Sequence, residues 1–248
     1  MTGGAPDLRV FADLEALSTA AAENFAGLAT DAVAHRGRFT VALSGGSTPR
    51  PLFELLAAEP LRSRIDWSHL FVFWSDERCV PPDQPESNYG MAEMALLHHV
   101  PVPASQVHRM RGELAVPQQA AQEYAAELRA IFGKAELPRF DLILLGLGEE
   151  GHTASLFPGV AVPDDPNTLV AAVFVPKVQM WRLTFTFPVL NAAANVIFLV
   201  SGAGKADVLR ALVAGPPTLG LPAQRVRPRN GSLTVYADRA AAEFLSRG

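Results

Sequence analysis

A mainly parallel α/β sheet with helices on both faces is the fold class that this sequence predicts, and three observations carry it. Short continuous apolar segments, such as Phe39-Thr40-Val41-Ala42-Leu43 and Asp141-Leu142-Ile143-Leu144-Leu145, read as strands buried on both faces. Helical periodicities separate these segments along the whole chain. Four of the strands run directly into polar or glycine-rich segments, the usual ligand position in an open α/β sheet. With 248 residues, 49% of them hydrophobic, the chain is long enough to bury a sizeable core. The Pro/Gly-rich patches at 81–85, 101–103 and 215–222 are too short to be linkers, so one α/β domain over residues 1–248 is expected.

The elements follow in order. Leu8-Arg9-Val10-Phe11 reads as a first strand, and Leu14, Leu17, Ala21, Phe25, Leu28 and Ala32 mark one face of a helix. After the strand at 39–43, Pro49 suits the first turn of a helix whose apolar face is Leu52, Leu55 and Leu56. Leu70 to Trp74 is the next strand, followed by helices over Tyr89 to His98 and about Gln118 to Phe132. Beyond the strand at 141–145, strands are expected near Thr168 to Val175, Arg182 to Phe187 and Asn195 to Val200. A helix at Lys205 to Val213, a strand at Leu233 to Tyr236 and a last helix complete the series.

Composition narrows the function. The 21 basic and 25 acidic residues leave a net charge of −4, which argues against a nucleic-acid surface. No apolar stretch approaches the ~20 residues of a membrane span, and the start Met1-Thr2-Gly3-Gly4 has no signal-peptide character. The single cysteine, Cys79, fits a reducing compartment. A cytoplasmic protein without nucleic-acid or membrane partners is expected. Isolated or adjacent histidines and one cysteine do not form a zinc-binding pattern.

The four polar segments should converge on one rim of the sheet. Ser44-Gly45-Gly46-Ser47-Thr48-Pro49 opens a helix, whose free N–H groups favour an anion such as phosphate. The same pattern also suits a tight turn with Thr48 as helix cap. Ser75-Asp76-Glu77-Arg78 suggests a partly buried site with a phosphate-binding guanidinium, or a solvated turn. Gly146-Leu147-Gly148-Glu149-Glu150-Gly151 matches a dinucleotide fingerprint only formally, because two glutamates stand where a pyrophosphate would lie. His152, beside a carboxylate in this turn, is placed to act as a general base, although a lone histidine is more often structural. Ser201-Gly202-Ala203-Gly204-Lys205 lacks the first glycine and the Ser/Thr of a nucleotide-binding loop, so Lys205 reads as one positive charge for a phosphate. Arg182 is a further candidate for that pocket.

In combination and order these motifs resemble the glucosamine-6-phosphate isomerase/6-phosphogluconolactonase family. They are Leu43 to Pro49, Trp74 to Arg78 with Ser87-Asn88-Tyr89, Gly146-Leu147-Gly148 with Gly151 to Pro158, Pro176-Lys177 before Arg182-Leu183-Thr184, and Gly202 with Lys205. The resemblance implies a Rossmann-like fold of the type shared by glucosamine-6-phosphate deaminase and ribose-5-phosphate isomerase. It implies hydrolysis of 6-phospho-D-glucono-1,5-lactone, with His152 as general base and Glu150 orienting it or raising its pKa. Ser44, Gly45, Gly46, Ser47, Thr48, Asp76, Arg78, Arg182 and Lys205 are then expected around the sugar phosphate. The partner is a small-molecule lactone, with no metal or organic cofactor, and the chain is expected to be a monomer or weak homo-oligomer. Glu150 stands where the family usually has aspartate, and Lys177-Val178-Gln179 replaces a common Lys-Pro-Pro stretch. A sugar-phosphate isomerase or deaminase is the enzymatic alternative, disfavoured by the Thr153 to Pro158 continuation. A non-catalytic sugar-phosphate sensor is the other, disfavoured by the strand that begins by residue 8.

Overall fold

The computed structural model describes residues 6–133, 137–216 and 219–245. Nine strands and seven α-helices succeed one another in them. They are β1 (Asp7–Phe11), α1 (Leu14–Arg36), β2 (Phe39–Leu43), α2 (Arg50–Ala57), α3 (Leu61–Arg64), β3 (Leu70–Trp74), β4 (Asp76–Arg78) and α4 (Asn88–Ala95). Then come α5 (Pro117–Phe132), β5 (Leu142–Gly146), β6 (Val170–Val175), β7 (Met180–Phe185), α6 (Phe187–Leu190), β8 (Asn195–Val200), α7 (Ala206–Ala214) and β9 (Ser232–Asp238).

Six strands form one parallel sheet in the order β1-β9-β8-β5-β2-β3. Side-chain alternation divides each strand between two cores. Val41, Leu43, Leu142, Leu144, Ile197 and Leu199 pack with α1, α2 and α4 on one face. Ala42, Ile143, Leu145, Val196 and Phe198 pack with α5, α6 and α7 on the other. Helices therefore cover both faces, as the continuous apolar strands require.

Three expectations are corrected. The strands near 168–175 and 182–187 do not join the parallel sheet but form a separate antiparallel one, in the order β4-β7-β6. Its third strand, Asp76–Arg78, carries no strand signal in the sequence, because three charged residues show no apolar alternation. The helix expected from Tyr89 to His98 ends at Ala95 and continues as a single tight turn over Leu97–His99. The last helix is replaced, over 239–245, by turns. There the Asp238 carboxylate accepts from Ala241 N (2.7 Å) and also from Ser201 Oγ (2.5 Å), so one residue serves two loops.

Strand order positions the site. From β2 the chain moves outward to β3, then returns to β5 and continues through β8 to β9 on the other side. The crevice between β2 and β5 is the point where the order reverses, the preferred ligand position of such sheets. No helix among the described residues is long and apolar enough to cross a membrane.

Candidate active site

At the carboxyl ends of β2, β5 and β8 lies a cleft of about 290 Å³. It is lined by Ser44 to Pro49 after β2, by Gly146 to Gly148 and His152 after β5, and by Ser201 and Lys205 after β8. The small sheet closes it with Asp76 and Arg78 of β4 and Arg182 of β7. All four polar segments thus meet, and among the predicted residues Glu150 alone does not line the cleft.

The loop after β2 opens α2, whose N-cap is Pro49 rather than Thr48, with no side chain satisfying its first N–H groups. The amides of Gly45, Gly46 and Ser47 donate to no other described residue. Ser44 Oγ is likewise buried without a partner. Donors left open at a helix start are suited to an anion. Gly45 allows a close approach: a Cβ there would lie 1.6 Å from Asn88 Oδ1 and force that side chain out of place.

Asn88 is the cleft residue for which sequence reasoning gave no role, although its Ser-Asn-Tyr context was visible. Its Nδ2 donates to the backbone oxygen of Asp76 (2.8 Å) and more distantly to Oδ1 (3.3 Å). Ser155 Oγ donates to Asp76 Oδ2 (2.7 Å), so this carboxylate is fixed from two sides. Glu77 points away and is buried. It accepts from the N–H groups of Arg78 (2.8 Å), Asn88 (2.7 Å) and Tyr89 (2.8 Å) and from Ser87 Oγ (3.1 Å). Burial pushes its pKa up against those donors. Its role is to tie the start of α4 to β4.

His152 sits on a turn held from within. Gly148 N donates to His152 O (2.9 Å), Gly151 N to Gly148 O (2.9 Å) and Thr153 Oγ1 to Gly146 O (2.8 Å). A Cβ at Gly148 would meet the His152 ring at 1.9 Å, so a larger residue would displace the ring. The ring stacks on Phe157, centroids 4.1 Å apart and planes 19° from parallel. Burial pushes the His152 pKa below the ordinary histidine value. The carboxylates of Glu150 and Asp76 oppose this without cancelling it, and Arg182 adds to it. The expected rise caused by Glu150 is therefore outweighed by desolvation.

Glu150 flanks the ring from outside the cleft. Its Oε2 is 3.1 Å from His152 Nδ1, off the axis of a hydrogen bond, so Nδ1 has no directed partner. Partial burial pushes its carboxyl up, but Lys177, its own backbone and His152 together hold its pKa down to about 2.

Three cations face the cleft. Arg78 Nη1 donates to the backbone oxygen of Glu86, leaving its buried Nε unpartnered. Arg182 lies 5.7 Å above the Phe157 ring and also has a buried, unpartnered Nε. Burial, then the charge of Arg78, lowers its pKa from the arginine value. Lys205, at the start of α7, pairs among the described residues with Glu149 alone, at 4.0 Å. The unsatisfied donors concentrated here suit a polar anionic ligand. No group of three or more metal-ligating side chains occurs among the described residues.

Comparison with known proteins identifies the family. The model of the family "Glucosamine-6-phosphate isomerases/6-phosphogluconolactonase" matches residues 12–235. A 6-phosphogluconolactonase of Synechocystis is 43% identical over 219 residues, 87% of this chain and 88% of that protein. The 6-phosphogluconolactonase of Homo sapiens is 40% identical over 250 residues, 99% of this chain and 96% of its own. The solved 6-phosphogluconolactonase from Trypanosoma cruzi superposes with a TM-score of 0.86 at 30% identity, covering 99% of this chain and 98% of that one. A monomeric glucosamine-6-phosphate deaminase shares the fold, with a TM-score of 0.80 at 21% identity over 96% of this chain and 99% of its own.

Proposed function

The chain belongs to the glucosamine-6-phosphate isomerase/6-phosphogluconolactonase family, and from that premise we propose that it hydrolyses 6-phospho-D-glucono-1,5-lactone to 6-phospho-D-gluconate in the oxidative pentose phosphate pathway. The observation that carries the reading is a half-buried histidine of lowered pKa in the same cleft as three cations. A neutral imidazole can take a proton, and the cations match a phosphorylated substrate.

Lys205, the open amides of Gly45 to Ser47 and the hydroxyls of Ser44 and Thr48 anchor the phosphate, together with Arg78 and Arg182. Because Nδ1 of His152 faces Glu150, Nε2 is the nitrogen left for water. It removes a proton as the water oxygen attacks C1. The tetrahedral oxyanion then collapses, the bond from C1 to the ring oxygen breaks, and the imidazolium returns the proton to that oxygen. The amides of Gly148 and Gly151 close the turn and are not available to the oxyanion. Binding energy gathered at the phosphate holds C1 against the base. The reading takes residues 1–248 as one hydrolase domain acting without a metal or organic cofactor.

The test follows disappearance of freshly generated lactone, corrected for spontaneous opening, in wild type and His152→Ala. The expected outcome is catalysis by wild type and a kcat reduced by ~10²–10⁴ in the variant, with KM much less affected. A variant with near-normal kcat removes His152 from the chemistry, and an inert wild type removes the lactonase reading.

A further inference from the structure

Behind the stacked rings of His152 and Phe157 lies a second hollow, about 350 Å³, lined in part by Glu150, Pro176 and Lys177. Lys177 belongs to neither the cleft nor its rim, and its side chain is 70% exposed. Its Nζ nevertheless meets Glu150 Oε1 at 2.9 Å, while the other oxygen of that carboxylate is 3.1 Å from His152 Nδ1. Three side chains from two segments thus form a row ending at the imidazole.

The local backbone holds the outer end of this row. Lys177 sits in the tight turn Pro176–Val178 that joins β6 to β7. Gln179 closes it in a left-handed conformation (φ 49°), donating from both its backbone N (3.2 Å) and its Nε2 (2.8 Å) to Pro176 O. Chain geometry, rather than burial, keeps Lys177 opposite Glu150.

We propose that Lys177 is a positioning residue: its ion pair with one oxygen of Glu150 holds the other oxygen against the outer ring nitrogen of His152. The proposal rests on the reading of His152 as the base. The glutamate side chain has three torsions to fix before either oxygen is placed. A second contact is what selects its orientation. The other groups facing His152 are Asp76 of β4 and Arg182 of β7, each already packed or hydrogen-bonded within the cleft. Loss of Lys177 therefore releases Glu150 alone.

The test compares Lys177→Met, Lys177→Arg and His152→Ala with wild type, measuring kcat, KM and the pH profile of kcat/KM. An exposed ion pair contributes little to folding, so Lys177→Met should fold normally and lose about fivefold in kcat at nearly constant KM. Its acid limb should move to lower pH, because a carboxylate that swings away no longer favours the imidazolium. Lys177→Arg, which can keep the contact, should restore both. An unchanged kcat and profile in Lys177→Met overturns the proposal. So does an upward shift of the acid limb, which would mean that Lys177 acts only as a charge. If His152→Ala is inactive while Lys177→Met equals wild type, the positioning role alone fails. If His152→Ala retains the wild-type rate, the base reading fails with it.

Discussion

At the scale of single residues, His152 shows two opposed influences on one ring. Glu150 and Asp76 favour the imidazolium, whereas burial against Phe157 and the nearby Arg182 disfavour it, and the second pair prevails. The base proposed here must be unprotonated to act, so activity should fall as pH drops through the His152 pKa. The acid limb of kcat/KM is expected below the ordinary histidine value of about 6.5. A limb above it, in a pH-rate profile corrected for spontaneous hydrolysis, would contradict this balance. The same sign applies to stability: the folded state binds fewer protons at His152 than the unfolded chain, so this residue disfavours folding as pH falls below the unfolded value. Glu150 behaves differently. Its folded pKa of about 2 lies below the unfolded value, so its contribution is present above that value and disappears only in strong acid.

At the scale of elements, the junction of β4 with α4 depends on Glu77. Its carboxylate receives three backbone N–H groups and one hydroxyl in a buried position. Glu77→Ala leaves those donors unpaired and should cost roughly 2–5 kcal/mol of stability. The measurement is the shift of the denaturant midpoint at constant slope, and a change below ~0.5 kcal/mol would assign Glu77 a marginal role. This junction also shows where the sequence was legible. β2, β3 and β8 were readable to the residue, because an apolar run buried on both faces has few other meanings. β4 was not, since its charges pair with loop amides and its strand character comes from the neighbouring β7. The two-sheet arrangement escaped for the same reason: six-residue apolar strands look alike whether their partners are parallel or antiparallel. Of the cleft, the strand-end segments were foreseeable from topology. The contribution of Asn88 was not, because it arises from an approach to Gly45 that is distant in the chain.

At the scale of the molecule, a chain of net charge −4 carries a cleft with three cations against one lining carboxylate, Asp76. Such local excess attracts an anionic ligand despite the overall sign. The lining also comes from both sheets, with the loops that leave amides open on the parallel sheet and two arginines on the antiparallel one. A sugar phosphate bridging them favours the folded state as a whole, because the unfolded chain has no such site. The stable product 6-phosphogluconate therefore serves as a probe without turnover. At a hundredfold excess over its Kd the gain is about 2.7 kcal/mol, which for a chain of this length raises Tm by about 5–10 °C. Gluconate lacks the group that meets Lys205 and the amides of Gly45 to Ser47, so at equal concentration it should raise Tm by much less. Lys205→Ala should narrow the gap between the two compounds while changing Tm little in their absence, since its one ion pair among the described residues, with Glu149, spans 4.0 Å. Equal shifts with gluconate and 6-phosphogluconate in scanning calorimetry would mean that the cations do not select the phosphate. A gap that persists unchanged in Lys205→Ala would transfer that selection to Arg78 and Arg182.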